Sequence, residues 1–583
     1  MSKLNVDQRT IFDLFSDRKS DFLIPDYQRP YAWRSEKECQ TLWDDVFSFA
    51  FPENDYTKFD SDNDEYYLGP IVTFKNDSGK MEIIDGQQRL TTLMLLLRAF
   101  YEKFGKMQDE NSRNTRDNLA LCIWKTNEFR KPVMDKLKID SEVATDNDKD
   151  EFLEILRTGI ARTEMKSNYA QNYRFFQDKI NTFLNEFPSF FAYFPNRLLN
   201  NCILLPIEAD NQNTALRIFS TLNDRGMPLS DADIFKAQFY KYYSRIGKKD
   251  DFIKRWRALE ETCSEIFHPI SGTPMDELFT RYMYYLRAKQ GIKSSTTEAL
   301  RRFYERDKYA LLNNAQALTD IEILADFWND VLNQNTTRFS DEVLRRLYVL
   351  NYAPNGMWAY IVSVYFLTNK DQDNKLDNNK FYTFLNKITA FIWAYAVTNP
   401  GVNALRTPIY AEMVNIVEGH DISFSEWLFD PVTLRSMLNN YSFANNRAIT
   451  KSMLTWWAFD DEDQPYLDLD TTIEIEHIYA RKRQESLHEL KNPKNLELLG
   501  NKSLLEKKIN IRAADYRFED KTKYYKGELL DRRQNRKAGT KIVELIKLSN
   551  SHTDFVEADI QARNEAIFNG FITYLKLNNL VKD

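Results

Sequence analysis

Cysteine is scarce in this chain: four in 583 residues, at 39, 122, 202 and 263, with no two close together. No CxxC spacing occurs, which disfavours a structural zinc ribbon and a disulfide scaffold. Long apolar runs are missing as well. None approaches the ~18 residues of a membrane span, and the opening MSKLNVDQRTIFDLF lacks the basic-then-apolar pattern of a secretory signal. The expectation is a soluble cytoplasmic protein. Glycine and proline, at 16 and 17, are too few for a collagen-like chain. Excess positive charge is absent too: the net charge is −7, which argues against a protein coated in basic surface.

What is present is globular in composition, with 43% apolar and 28% charged residues. The length predicts roughly two to four domains, because one core rarely grows past about 250–300 residues. Aromatics are abundant, with 40 Phe, 31 Tyr and 10 Trp. They suit an aromatic-rich helical core, and they also suit base stacking on nucleic acid. Charge is unevenly placed. Between Thr471 and Thr540 there are 17 Lys/Arg against 11 Asp/Glu, so a basic C-terminal region sits on an otherwise acidic chain. Such a region fits either one local anionic partner or a solvated helical face.

Periodicity predicts a strand at Asp21–Pro25 and a helix from Ser35 to Phe49, with Ser35 as N-cap and Glu38 completing a capping box. Leu68–Phe74 and Lys80–Ile84 read as a hairpin around Asn76–Gly79. Leu90, Leu93, Met94, Leu97 and Phe100 recur at helical spacing over Gln88–Phe104. Asn118–Asn200 reads as mostly helical, Cys202–Ile207 as a buried strand, and Asp231–Tyr243 as a helix capped by Ser230. Residues 250–445 read as nearly all helix. The acidic stretch Asp460–Pro465 is the best domain boundary, followed by a short strand at Thr472–Glu476 and basic helices.

Four segments carry chemistry. Ile83-Ile84-Asp85-Gly86-Gln87-Gln88-Arg89 sits at a strand-to-helix junction. Free N–H groups and the positive helix end favour phosphate there, Gly86 permits close approach, Arg89 can fork onto phosphate oxygens, and Asp85 can hold a metal or position a water. The plainer reading is a capped helix start, with Asp85 as N-cap and Arg89 in a surface ion pair. The segment Ile24-Pro25-Asp26-Tyr27-Gln28-Arg29-Pro30-Tyr31-Ala32-Trp33 is a stiff aromatic loop. Its Tyr27, Tyr31 or Trp33 can stack on a base while Arg29 meets phosphate, or the loop can plug the domain edge. A third segment runs from Phe219 through Asn223, Gly226, Leu229 and Asp233 to Lys236. By itself it is ordinary turn chemistry. In the basic region, Glu476-His477 ends a strand, followed by Asn501 and, nine residues on, Asn510. A histidine beside a carboxylate can act as general base on a water, with Asn501 orienting it. Glu476 and Asn510 can hold one divalent cation by oxygen. The alternative is a histidine that merely caps a strand.

Taken in order, the first three segments resemble the GmrS-type N-terminal domain of the GmrSD family of modification-dependent (type IV) restriction enzymes. The matching text is IPxYQRPYxW, then DGQQR, then IFxxLNxRGxxLxxxDxxK, over residues 5–240. IEIEHI, NLELLGNKSLLEKKIN and Phe518-x2-Lys521 resemble the family's GmrD-type domain with an HNH (His-Me finger) core, over residues 445–575. Ala480 stands where the family usually has proline.

The resemblance implies an α+β, predominantly helical protein. It would have a ParB/sulfiredoxin-like NTP-binding domain at 1–245, a helical middle at 246–445 and a ββα-metal HNH nuclease domain at 446–583. It implies a GTP, ATP or CTP site built from Tyr27, Gln28, Arg29, Asp85, Gly86, Gln87, Gln88 and Arg89, with Asp85 also serving in hydrolysis. It further implies catalysis by His477 and Asn501 with Mg²⁺ or Mn²⁺ on Glu476 and Asn510. Arg481, Lys482, Lys502, Lys507, Lys508 and Lys521 are the expected DNA contacts. The expected activity is that of a nucleotide-regulated, metal-dependent endonuclease or nickase acting on modified or phage DNA; no membrane partner is expected, and a homodimer is open. The alternative is a nucleotide-dependent DNA-binding or scaffold protein with a degenerate nuclease domain.

Overall fold

The computed structural model describes residues 5–6, 8–105, 107, 109–143, 146, 148–191, 193–212, 214–215, 218, 230–296, 298–401, 404–529 and 536–582. The fold is α+β and 59% helical, well above the third or so typical of globular proteins. It divides into two compact units, Met1–Arg257 and Ala258–Asp583. Among the described residues no helix is long and apolar enough to cross a membrane.

The first unit is built on a mixed seven-stranded sheet. Its strands are β1 (Asn5–Val6), β2 (Arg9–Thr10), β3 (Phe22–Ile24), β4 (Tyr66–Lys75) and β5 (Met81–Asp85). Next come a separate hairpin of β6 (Trp124–Thr126) and β7 (Pro132–Leu137), then β8 (Ile139–Ser141) and β9 (Cys202–Ala209). The main sheet runs β1-β9-β4-β5-β3-β8, with β2 also on β9. β4 and β5 pair antiparallel around the Asn76–Gly79 turn, as the sequence predicts, while β4 runs parallel to β9 and β3 parallel to β5 and β8. The helix Gln87–Phe104 leaves β5 directly. Leu90, Leu93, Met94, Leu97 and Phe100 are fully buried along it, so the apolar stripe becomes the centre of the core.

Two local expectations change. Ser35 does not cap a helix. The chain opens there with a π-type turn, Ser35–Cys39, before the α-helix Gln40–Ala50. The Glu38 carboxylate instead accepts from the Arg34 N–H at 3.0 Å. The stretch expected to be mostly helical also contains β6, β7 and β8. Ser230 does cap its helix, Asp231–Arg245, in a reciprocal box with Asp233.

The second unit is helical from Pro274–Lys289 through Ala448–Phe459, and then carries a two-stranded sheet of β10 (Ile473–His477) and β11 (Lys502–Glu506). The helices of the expected middle segment and this sheet lie in the same unit. Lys502 Nζ, on β11, donates to the Phe443 carbonyl at 2.7 Å. The acidic stretch after Phe459 is tied down inside the unit rather than left as a free linker. Lys547 pairs with Asp461 and Asp463, and Gln464 is buried and bonded to the Lys541 carbonyl.

Much of the aromatic surplus is core. Phe104 stacks on Phe191 with ring centroids 4.2 Å apart, Phe327 on Phe366 at 4.1 Å, and Trp456 meets Phe571 edge-on at 5.0 Å. The four cysteines are buried free thiols.

Candidate functional site

At the end of β5 the chain must turn into a helix within one residue. Gly86 does this with φ +92°, and a Cβ there would lie 3.3 Å from the Ile71 side chain on β4. Gly86 is therefore the cap residue, not Asp85. The first helical N–H groups, from Gln87 onward, carry the positive pole of an 18-residue helix.

The two boxes read from the sequence meet here through three buried glutamines. Gln28 Nε2 donates to the Ile83 and Ile84 carbonyls, both at 3.1 Å. Gln87 Nε2 donates to the Arg29 carbonyl at 2.9 Å. Gln88 donates to the Pro30 carbonyl at 3.1 Å and accepts from the Ala32 N–H at 2.7 Å. Neutral amides suit this task because each gives and takes hydrogen bonds. Gln28 ties the loop to β5, and Gln87 and Gln88 tie it to the start of the helix, so these amide nitrogens support the junction; of the three side chains, only Gln87 Oε1 is left buried without a partner.

Tyr27 and Tyr31 are corrected. Both are buried. The Tyr27 hydroxyl donates to Glu82 at 3.1 Å, and Tyr31 stacks on Tyr169 with its hydroxyl 2.7 Å from that of Thr92. Neither ring is free to take a base.

What faces outward at the junction is Asp85, Gly86, Arg29 and Arg89, all half-buried. Arg89 Nη1 donates to the Pro70 carbonyl at 3.0 Å, and its guanidinium lies over Gly69, where a Cβ would come within 2.9 Å. Arg89 is thus anchored on backbone rather than in a surface ion pair. Burial raises the Asp85 carboxyl, against the pull of the Gly86 N–H, Arg89 and Arg29. Two guanidinium groups and a helix N-terminus at one place fit a phosphate-bearing ligand. Gln87 Oε1 is also buried there with no partner. A pocket of about 440 Å³ in the same unit includes Tyr27, Asp26, Glu82, Glu142, Asp210 and Lys249 in its lining. With Asp77 the lining holds five carboxylates against three lysines, Lys75, Lys80 and Lys249, an acidic balance that opposes a polyphosphate. Phe219, Asn223, Gly226 and Leu229 lie outside the described residues.

In the second unit β10 and β11 pair antiparallel, with His477 opposite Lys502 and Glu476 opposite Ser503. A short helix, Lys507–Ala513, follows β11 directly. Asn501 is fully buried and clasps the segment after His477. Its Oδ1 accepts from the Tyr479 N–H at 2.7 Å, and its Nδ2 donates to the Tyr479 and Leu496 carbonyls at 3.1 and 3.0 Å. Its own carbonyl takes the Ile478 N–H at 2.9 Å.

His477 Nε2 is buried without a hydrogen-bond partner, 3.6 Å from Glu497 Oε1. Burial pushes the imidazole down to about 4, against the pull of Glu497. It is neutral at pH 7 and has a lone pair to offer. Glu497 lies inside the NLELLGN stretch, but a lone carboxylate there gave no signal of its own in the sequence.

Glu476 and Asn510 do not share a ligand site. Glu476 is buried, and its Oε1 accepts from Lys521 Nζ at 2.6 Å and from the Tyr525 hydroxyl at 2.7 Å. Lys521 Nζ also donates to the His477 carbonyl at 2.6 Å. Asn510 instead gives its amide to Glu474 at 2.9 Å. A cation approaching Glu476 meets an ammonium already in place, so this donor set does not fit a divalent ion. Among the described residues no group of three or more His, Cys, Asp or Glu has the arrangement to hold a metal.

The expected DNA contacts separate by burial. Arg481, Lys482, Lys507 and Lys508 are exposed, Arg481 pairing with Glu497 at 3.0 Å. Lys502 and Lys521 are not surface charges: Lys502 is buried and bonded to the Phe443 carbonyl and Glu497, both at 2.7 Å. Neither presents its charge to a phosphate.

No curated protein matches the chain at a significant level. Two family models do match. The N-terminal domain of the GmrSD restriction endonuclease covers residues 11–240, which hold the β5–helix junction. The C-terminal domain of the GmrSD restriction endonucleases covers residues 431–569, which hold β10, β11 and His477. With both domains matched, and in that order along one polypeptide, the chain belongs to the GmrSD restriction endonucleases and DNA is its substrate.

Proposed function

We propose that this endonuclease is nucleotide-regulated, restricts modified or foreign DNA, and cuts or nicks it at an HNH-type centre around His477. The observation that carries the reading is the Asn501 clasp, which fixes the strand end that presents a neutral His477. In this reading His477 takes the proton of the attacking water. Glu497, 3.6 Å away, stabilises the imidazolium that forms. Lys521, through the His477 carbonyl, holds the backbone in place. The nucleoside triphosphate binds at the β5–helix junction, its phosphates facing Arg29, Arg89 and the first N–H groups of the helix, and Asp85 is the candidate to position the hydrolytic water.

A second reading has an observation in its favour. Glu476 is committed to Lys521 and Tyr525, as it would be in a DNA-binding protein whose nuclease centre has lost its cation site.

One assay separates the two. Plain and modified phage DNAs and a supercoiled plasmid are incubated with the protein, with and without Mg²⁺ or Mn²⁺ and each of GTP, ATP and CTP. His477→Ala should lower cleavage by about 10²–10⁴-fold while DNA binding is retained. Cleavage by the variant at the wild-type rate removes His477 from catalysis. Absence of cleavage by either protein on every DNA favours the binding protein.

A further inference from the structure

Two tyrosines near His477 have no task in the site described above. Tyr516 lies between the helices Lys507–Ala513 and Phe518–Tyr525, and Tyr524 lies in the second of them. Their rings stack with centroids 5.7 Å apart and planes 10° from parallel. Most stacked pairs in this protein are core, but this one is not. Tyr516 is 49% exposed, and Tyr524 is only partly covered. A pair that existed to fill space would bury both rings.

The backbone bends sharply to make the pair. Ala514 has φ +41° and ψ −139°, a conformation that side-chain-bearing residues rarely adopt, and the Tyr516 N–H then closes a turn on the Ala513 carbonyl. Strain of this kind persists where the surrounding structure imposes it, often at binding sites.

The surroundings are positive. Between Lys507 and Lys526 there are seven basic and three acidic residues. Lys521 is spent on Glu476, which leaves Lys507, Lys508, Arg512, Arg517, Lys523 and Lys526 on or near the surface. The pair is also close to the centre. Lys521, on the helix of Tyr524, reaches the His477 carbonyl, and Tyr525, the next residue, reaches Glu476.

We propose that Tyr516 and Tyr524 form a stacking platform for an unpaired DNA base, holding one strand open beside the cleavage centre. Flat aromatic faces among lysines and arginines are the features that bind single-stranded nucleic acid without reading its sequence. The inference rests on the chain acting on DNA at the His477 region.

The test uses the full chain with EDTA present, so that binding is read without cleavage. Probes are a fluorescent single-stranded oligothymidine, a strand of the same length carrying 2-aminopurine, and a matched duplex. Tyr516→Leu with Tyr524→Leu should weaken single-strand binding by about 5- to 150-fold for each base that stacks. It should also abolish the quenching of 2-aminopurine seen with wild type, and change duplex affinity much less. Tyr516→Phe with Tyr524→Phe keeps the rings and should behave as wild type. Tyr516→Leu alone, at the more exposed position, gives a partial loss and guards against misfolding of the double variant. The proposal is overturned if wild type binds no single strand, if the leucine variants bind and quench like wild type, or if the phenylalanine variant loses as much as the leucine one. Loss of stacking in a protein that cuts no DNA under any condition would sink the nuclease mechanism and leave the platform standing.

Discussion

Lys521 and Glu476 place opposite charges where almost no water reaches, with side chains 1% and 6% exposed. Removing one partner strands the other in low dielectric, which typically costs about 3–5 kcal/mol. Lys521→Met should lower the unfolding free energy of the second unit by that amount, and adding Glu476→Gln should restore part of it. Denaturant titration of both variants is the check, and a loss under about 1 kcal/mol would mean the pair is effectively solvated. His477 gives a pH signature. Its folded value, about 4, lies below the ordinary 6.5, so the unfolded chain binds a proton that the folded chain refuses. Between these limits stability rises with pH, and it falls as acid is added from about 6.5 down to 4. The basic form of His477 survives across that window, so the acid limb of the cleavage rate should lie near 4. A single-turnover pH–rate profile with its limb at 6.5 would contradict the burial of this imidazole.

At the scale of elements, the β5–helix junction turns on one glycine. Gly86→Ala adds a left-handed penalty of roughly 1–2 kcal/mol and a contact with Ile71. Gly247 has a similar φ, +69°, with nothing within 4 Å of a Cβ. Comparing the thermal unfolding of the two alanine variants isolates the steric part, and Gly86→Ala should be the worse. The helix that starts there was legible because Leu90, Leu93, Met94, Leu97 and Phe100 follow a helical period that burial enforces. The β4–β5 hairpin was legible from its Asn-Asp-Ser-Gly turn, and the Ser230 cap from Asp233 three residues on. The β6–β7 hairpin was not. Its second strand, Pro132–Leu137, buries only Leu137 and exposes Met134, Asp135 and Lys136 in an unbroken run, so no apolar alternation marks it. Lysines mislead for a related reason. Sequence shows that Lys502 and Lys521 carry charge, but their burial is set by Glu497 and Glu476 through the fold. Gln28, Gln87 and Gln88 read as ligand contacts beside a glycine, yet their partners are backbone groups more than fifty positions away.

At the scale of the whole molecule, each of the two units is large enough to bury a core of its own. Calorimetry should show two unfolding transitions. A nucleoside triphosphate at about 100 times its Kd should stabilise the first unit by about 2.7 kcal/mol, and leave the second transition where it was. Arg89→Ala should abolish that shift. One shared transition would contradict independent unfolding of the two units, and a shift confined to the second unit would contradict the assignment of the nucleotide to the β5–helix junction. The buried thiols bear on how such openings are followed. Burial pushes Cys39, Cys122 and Cys263 up to about 12, and Cys202 is raised as well, so the reactive thiolate is nearly absent from the folded chain at neutral pH. Maleimide should therefore ignore the native protein, and a cysteine introduced at exposed Lys482 would take a fluorophore without a cysteine-free background. Cys39, Cys122 and Cys202 belong to one unit and Cys263 to the other. The peptide on which a label appears during mild heating names the half of the protein that has opened.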